Sequence, residues 1–321
     1  MQCSIHSTTV TRLCRRFFII NLCFLVWIYP GLSDDRLPFE VFETPYLILF
    51  YPSSLKDIKS EFVAAYDSAE SNLNTIFKWR PRHKIQLVVI NNRQTFLQMA
   101  EHPLTVAFAE MKHHRIVIDY QQVVTRPFCL ETTVQHELCH ILMDHYLKIP
   151  IPRWLNEGIA QWASEGIAEI IRLEANTLQK AAFSGNLIPL YKLDASFPMD
   201  SSQFILAYEQ SKSFIVYLVN TYTKYALLEL LDQIEQGQSL HEAVLSIYGK
   251  SWRELEREWI ASQTQYMAWM VYISNNMYTF IFIGMAFLCI FGFIRIKLKK
   301  RDYPDDWDDD DWVQPLELEE Q

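Results

Sequence analysis

Cysteine is scarce where it would matter. Of the six in the chain, Cys3, Cys14 and Cys23 fall near the N-terminus, Cys289 lies in an apolar run near the C-terminus, and only Cys129 and Cys139 stand between. Two thiols cannot build a disulfide framework or a cysteine zinc cluster. A Cys129–Cys139 bridge is open to an exported chain, but Cys139 sits inside a predicted helix, so two unpaired thiols are an equal reading. A basic excess is lacking as well. The net charge of −9 traces to residues 302–321, which hold ten acids (seven Asp, three Glu) and no Lys or Arg, leaving 28 acids against 29 bases elsewhere. A nearly neutral folded part excludes a nucleic-acid partner of the electrostatic kind, and the tail reads as a disordered, solvated segment. Trp307 and Trp312 could alternatively make that tail a docking motif. Internal repeats and long Gly/Ser linkers are absent too, and 50% apolar content with 21% charge suits a globular chain with a sizeable core.

The two ends predict export and anchoring. Arg12, Arg15 and Arg16 precede a short apolar run, Phe17–Tyr29, and Gly31-Leu32-Ser33 offers small residues for cleavage. Residues 1–33 therefore read as a signal peptide, with an uncleaved anchor as the alternative. Met277–Ile294 is eighteen residues without a charge, extended upstream by Met267, Trp269, Met270, Val271 and Tyr272. That reaches the roughly twenty residues of a spanning helix, so residues 266–295 are expected to cross a membrane once. Arg295, Lys297, Lys299, Lys300 and Arg301 follow at once. By the positive-inside rule residues 296–321 are then a cytoplasmic tail, basic first and acidic after, and residues 34–265 face outward.

Within 34–265 the fold class reads as α+β, strands first. Strands are predicted over Tyr46–Tyr51, Ile85–Ile90, Val106–Glu110 and Arg115–Asp119, with helices over Leu55–Phe77 and Thr95–Ala100. This makes a small mixed sheet with helices packed on it. From Glu131 onward the pattern is helical: Thr132–Leu147, Leu155–Glu165, Glu169–Lys180, Gln203–Thr221, Tyr225–Glu235, Leu240–Ile247 and Ser251–Gln265.

The residues that carry chemistry sit at the start of this helical part. His136-Glu137-Leu138-Cys139-His140 places two histidines one turn apart on one helix face, where both can converge on a single zinc ion. Val134, Leu138, Ile141 and Leu142 supply a buried stripe, Thr132 or Thr133 can cap the start, and Pro150 ends the segment. Glu157 follows His140 by seventeen positions, in a helix introduced by Pro150 and Pro152. Its carboxylate can complete a two-histidine, one-glutamate set, the open arrangement of a catalytic zinc site. Glu137 cannot point at the metal if both histidines do, and is positioned to take a proton from zinc-activated water.

His136–His140 together with Trp154-Leu155-Asn156-Glu157-Gly158-Ile159-Ala160-Gln161-Trp162 resembles the gluzincin zinc metallopeptidases, and above all their compact peptidase MA-like domains, over roughly residues 105–265. The resemblance implies a thermolysin-like zincin core, one Zn2+ per chain, Glu137 as general base, Glu157 as third ligand and a peptide or protein substrate. Tyr208, in Tyr208-Glu209-Gln210-Ser211-Lys212-Ser213-Phe214, is similar to the tyrosine with which zinc aminopeptidases stabilise the tetrahedral intermediate. The spacing from His140 to Glu157 is shorter than in thermolysin or the large aminopeptidases, whose additional domains are missing. A strand at Ala107–Met111 should border the cleft and offer an edge for peptide backbone. Glu110 is similar to the acid that holds a free substrate amine in the aminopeptidases, without deciding between exo- and endopeptidase.

Other polar residues near the motif are assigned less directly. His113 and His114 lie just beyond the strand at Ala107–Met111; adjacent strand residues point to opposite faces, so both cannot reach one ion, and they read as surface or turn histidines. Asp144, Asn156 and Gln161 are rivals for orienting the imidazoles. The leading function is a membrane-anchored zinc metallopeptidase with its catalytic domain outside the cytoplasm. An inactive surface binding module of the same fold has no need of Glu137. A non-peptide zinc hydrolase would share every feature.

Overall fold

The computed structural model describes residues 39–55, 57–125, 128–166 and 177–301. The expected signal peptide, the acidic tail and the first part of the helix expected over Glu169–Lys180 lie outside the described residues. The chain divides into two compact units, Met1–Gln263 and Thr264–Gln321.

The first unit opens with the mixed sheet, and the fold is α+β as the sequence implies. Strands β1 (Phe39–Glu43), β2 (Leu47–Pro52), β3 (Ile85–Ile90), β4 (Ala107–Glu110) and β5 (Arg115–Asp119) lie in the order β1-β2-β3-β5-β4. The β2–β3 and β3–β5 pairs are parallel; β1 on β2 and β4 on β5 are antiparallel. Both faces of the central strands are covered: Leu47, Leu49, Ile85, Leu87, Ile116 and Ile118 are buried on one, and Phe50, Ile90 and Val117 on the other. The sequence reading omits β1. Its residues, Phe-Glu-Val-Phe-Glu, stay half-exposed at an edge and carry two charges, so no apolar run marks the strand. β4 forms the opposite edge.

Helix α1 (Lys59–Phe77) crosses from β2 to β3 and presents Phe62, Ala65, Tyr66, Ala69, Leu73 and Phe77 to the core, a 3.6-residue stripe. Lys78 ends it in the left-handed region, φ 62°. Two short helices follow, α2 (Arg93–Leu97), begun by Asn92 accepting from Thr95 N, and α3 (Tyr120–Val123). Helix α4 (Leu130–Tyr146) packs on α1, and from Thr133 to Met143 every residue is buried. Each large apolar side chain among them contributes roughly 1.5–3 kcal/mol by leaving water. Its N-cap is Cys129 rather than Thr132 or Thr133; the Thr133 hydroxyl instead donates back to Cys129 O at 2.9 Å. Pro150 and Pro152 turn the chain into α5 (Arg153–Ala163).

The remaining helices are α6 (Thr177–Ser184), α7 (Ser201–Tyr222), α8 (Lys224–Glu235), α9 (Leu240–Tyr248) and α10 (Trp252–Asn275). α7 lies against α5. Trp154 joins the two through edge-on contact with Phe214 at 5.4 Å between centroids, and its indole N–H donates to Asp194 at 3.0 Å. In the second unit, α11 (Met277–Arg301) contains 23 residues, Met277–Lys299, long and apolar enough to cross a membrane. Its apolar side chains are exposed, Phe282 at 75%.

Candidate metal centre

The site forms where α4 and α5 meet. His136 and His140 stand on one face of α4, one turn apart as their spacing dictates. Their Nε2 atoms are 3.0 Å from each other. Glu157 Oε2, from the second turn of α5, lies 3.6 Å from His136 Nε2 and 3.4 Å from His140 Nε2, and has no hydrogen-bond partner of its own. All three side chains are buried. A tetrahedral zinc with bonds of about 2.0–2.2 Å keeps its donors roughly 3.3–3.6 Å apart. The two sides to Glu157, 3.4 and 3.6 Å, match that span and the His–His side, 3.0 Å, is a few tenths shorter, so the three donors are grouped closely enough to hold one ion. Burial, together with the charges of His140 and Lys212, holds the His136 imidazole well below its usual pKa, so it stays neutral and keeps a lone pair.

The partner that orients His140 is Asn156. Its Oδ1 forms a direct hydrogen bond with His140 Nδ1. The other two candidates have different tasks. Gln161 Nε2 donates to Tyr208 O at 3.1 Å and joins α5 to α7, while Asp144 is exposed and close to His114 and His145.

Tyr208 reaches the site from α7. Its hydroxyl donates to Glu157 Oε1 at 3.3 Å, and the residue is buried. Sequence reasoning missed Arg153, which approaches the same oxygen with Nε at 3.6 Å and Glu101 with Nη1 at 3.3 Å. The signal was available, since Arg153 lies four positions before Glu157 and shares its helix face. Burial works against the Arg153 charge, but Tyr208, Glu157 and Glu101 outweigh it and hold its pKa above the ordinary range.

Glu137, His140, Glu157 and Tyr208 line one cleft of about 540 Å³, and β4 with Met111 lines it too. The cleft thus has an edge strand along it. Glu110 also lines the cleft, with Oε2 accepting from Arg115 Nη1 at 3.2 Å and 3.4 Å from His113 Nδ1. His113 and His114 lie in a turn rather than on the strand. His113 closes a short 3-10 turn and His114 follows at φ 50°. Neither approaches the His136–His140–Glu157 triangle. Cys129 is exposed at the head of α4, and Cys139 is buried within it; both are free. Burial pushes the Cys139 thiol up to about 12, which leaves it inert.

The Peptidase MA superfamily model matches residues 79–265, more than half of the chain. The chain belongs to the peptidase MA superfamily. Its peptidase MA domain therefore contains β3 to β5, both helices of the triangle and α7, and the fold is metallopeptidase-like. Among solved structures, the chain is similar to Legionella pneumophila aminopeptidase A, crystallised in complex with aspartic acid, with 13% identity and a TM-score of 0.43. That match covers 70% of this chain and 28% of the neighbour, so this peptidase MA chain spans little more than a quarter of it. No curated protein matches the chain.

Proposed function

We propose that this chain is a membrane-anchored zinc metallopeptidase that hydrolyses peptide bonds outside the cytoplasm. The observation that carries the reading is the buried triangle of His136, His140 and Glu157, opening on a cleft that Glu137 also lines. The donor set, two imidazoles and one carboxylate, is that of a zinc site with a position left for water. Zinc bound there would supply a Lewis acid that makes water acidic near neutral pH.

The chain's own residues perform the rest. Glu137, on the helix of both histidines and lining the same cleft, takes the proton from the attacking water and passes it to the leaving amine. The Tyr208 hydroxyl, buried beside Glu157, donates to the oxyanion that develops on the peptide carbonyl. Asn156 holds His140 in the tautomer that leaves Nε2 its lone pair. The β4 edge, with unpaired backbone groups along the cleft, receives an extended peptide by strand addition.

Anchoring rests on α11 and the basic residues that close it. The proposed division is a signal peptide over 1–33, the exported peptidase over 34–265, a single span over 266–295 and a cytoplasmic tail over 296–321.

The deciding experiment compares wild type with Glu137→Gln, using protein termini newly exposed in cells that express each. Glu137→Gln should keep its zinc and lose about 10²–10⁴-fold in activity, the usual contribution of a positioned general base. His136→Ala and Glu157→Ala should lose zinc and activity together. A Glu137→Gln protein that cleaves as fast as wild type with zinc bound rules the mechanism out.

A further inference from the structure

A second group of histidines lies outside the catalytic triangle, assembled from three separate elements. His83 precedes β3, His114 closes the turn between β4 and β5, and His145 stands in the last turn of α4. His114 Nδ1 and His145 Nε2 are 2.9 Å apart, about the separation of the two imidazole nitrogens in the triangle. The His83 ring stacks on His114 with centroids 4.6 Å apart, and meets His145 edge-on at 5.8 Å. His114 takes a left-handed backbone, φ 50° and ψ 45°, in presenting this ring. Nδ1 of His145, the ring's other nitrogen, is buried without a hydrogen-bond partner.

We infer that His114 and His145, with His83 beside them, form a second binding site for a divalent transition-metal ion of the zinc, copper and nickel class. Imidazole is the ligand those ions share. The electrostatics agree. Burial, and the neighbouring histidines, hold His114 and His145 below the usual imidazole range, so both are neutral near pH 7 with lone pairs to give. The charge of Asp144 acts on both rings in the opposite sense and favours a cation there. His113 opposes it at His114, and Arg82 opposes it at His145 while lying over the Tyr146 ring at 4.5 Å. An ion here would tie the end of α4, which carries His136, Glu137 and His140, to the turn that ends the cleft strand β4. The inference does not rest on the first site holding zinc.

The test uses the full chain in detergent micelles with His136→Ala and His140→Ala together, which removes the triangle as a ligand set. Titration with Zn2+ should still show about one equivalent bound. Adding His145→Ala or His114→Ala should weaken that binding at least tenfold, and His83→Ala should weaken it less, with circular dichroism verifying the fold. As a second measurement, Zn2+ should protect the His114 and His145 peptides of the wild-type protein from diethylpyrocarbonate. Absence of Zn2+ binding in the double variant together with no protection in wild type overturns the site. So does binding that His114→Ala and His145→Ala leave unchanged.

Discussion

Asn156 accepts a hydrogen bond from His140 across the α4–α5 junction, sixteen positions apart in sequence. A carbonyl oxygen only accepts, so the proton sits on Nδ1 and the Nε2 lone pair faces His136 and Glu157. One turn of α5 thus supplies both the carboxylate donor and the group that sets a histidine's tautomer.

Removing that contact should loosen the metal without removing a ligand. Asn156→Ala is expected to lower zinc affinity about 10–100-fold, measured by competition with a chelator. Asn156→Asp keeps an acceptor and should retain most of the affinity. Wild-type affinity in Asn156→Ala would show that the contact orients nothing.

Tyr208→Phe separates chemistry from packing. Loss of an oxyanion donor costs about 2.7–4 kcal/mol, so kcat should drop about 10²–10³-fold with KM little changed. Zinc content must be measured alongside, because the same hydroxyl donates to Glu157. A kcat within about twofold of wild type would make Tyr208 a packing residue.

Gly158 lies at a close approach of α5 to α7. A Cβ placed there would lie 2.5 Å from Ser211 O and 2.7 Å from Ile215 Cγ1, and the first of these is backbone. Gly158→Ala must push the two helices apart, at a cost of roughly 1–3 kcal/mol. A melting temperature several degrees lower is expected, with weaker zinc binding because Glu157 is the adjacent residue. Unchanged melting and affinity would mean that the helices yield freely.

Orientation in the membrane is tested separately from catalysis. A reporter fused after Gln321 should report the cytoplasm, and one inserted near Gly185 the outside. Finding both on one side would refute the single span or its direction.

Much of the site was legible because its periods are local. His136 and His140 share a face by helical geometry alone, and the apolar stripe around them fixes which face is inward. The predicted strands Ile85–Ile90 and Arg115–Asp119 recur at the same bounds, since these central strands are largely apolar runs covered on both faces. β1 was illegible for the opposite reason, being an edge strand with charges. The free thiols, too, follow from placement: Cys129 and Cys139 lie at the head and in the middle of one rigid helix.

By itself, then, the sequence determined the α+β order, the residue types of a candidate metal site and their helical phase, and an apolar segment of membrane-spanning length. The tertiary structure decided which of Asp144, Asn156 and Gln161 touches an imidazole, that Tyr208 and Arg153 converge on Glu157, and that His83, His114 and His145 gather at one spot. Those relations join elements far apart in the chain. Their distances depend on how helices and strands pack, with Gly158 allowing α7 close enough to α5 to bring Tyr208 in. No period within one element encodes that packing.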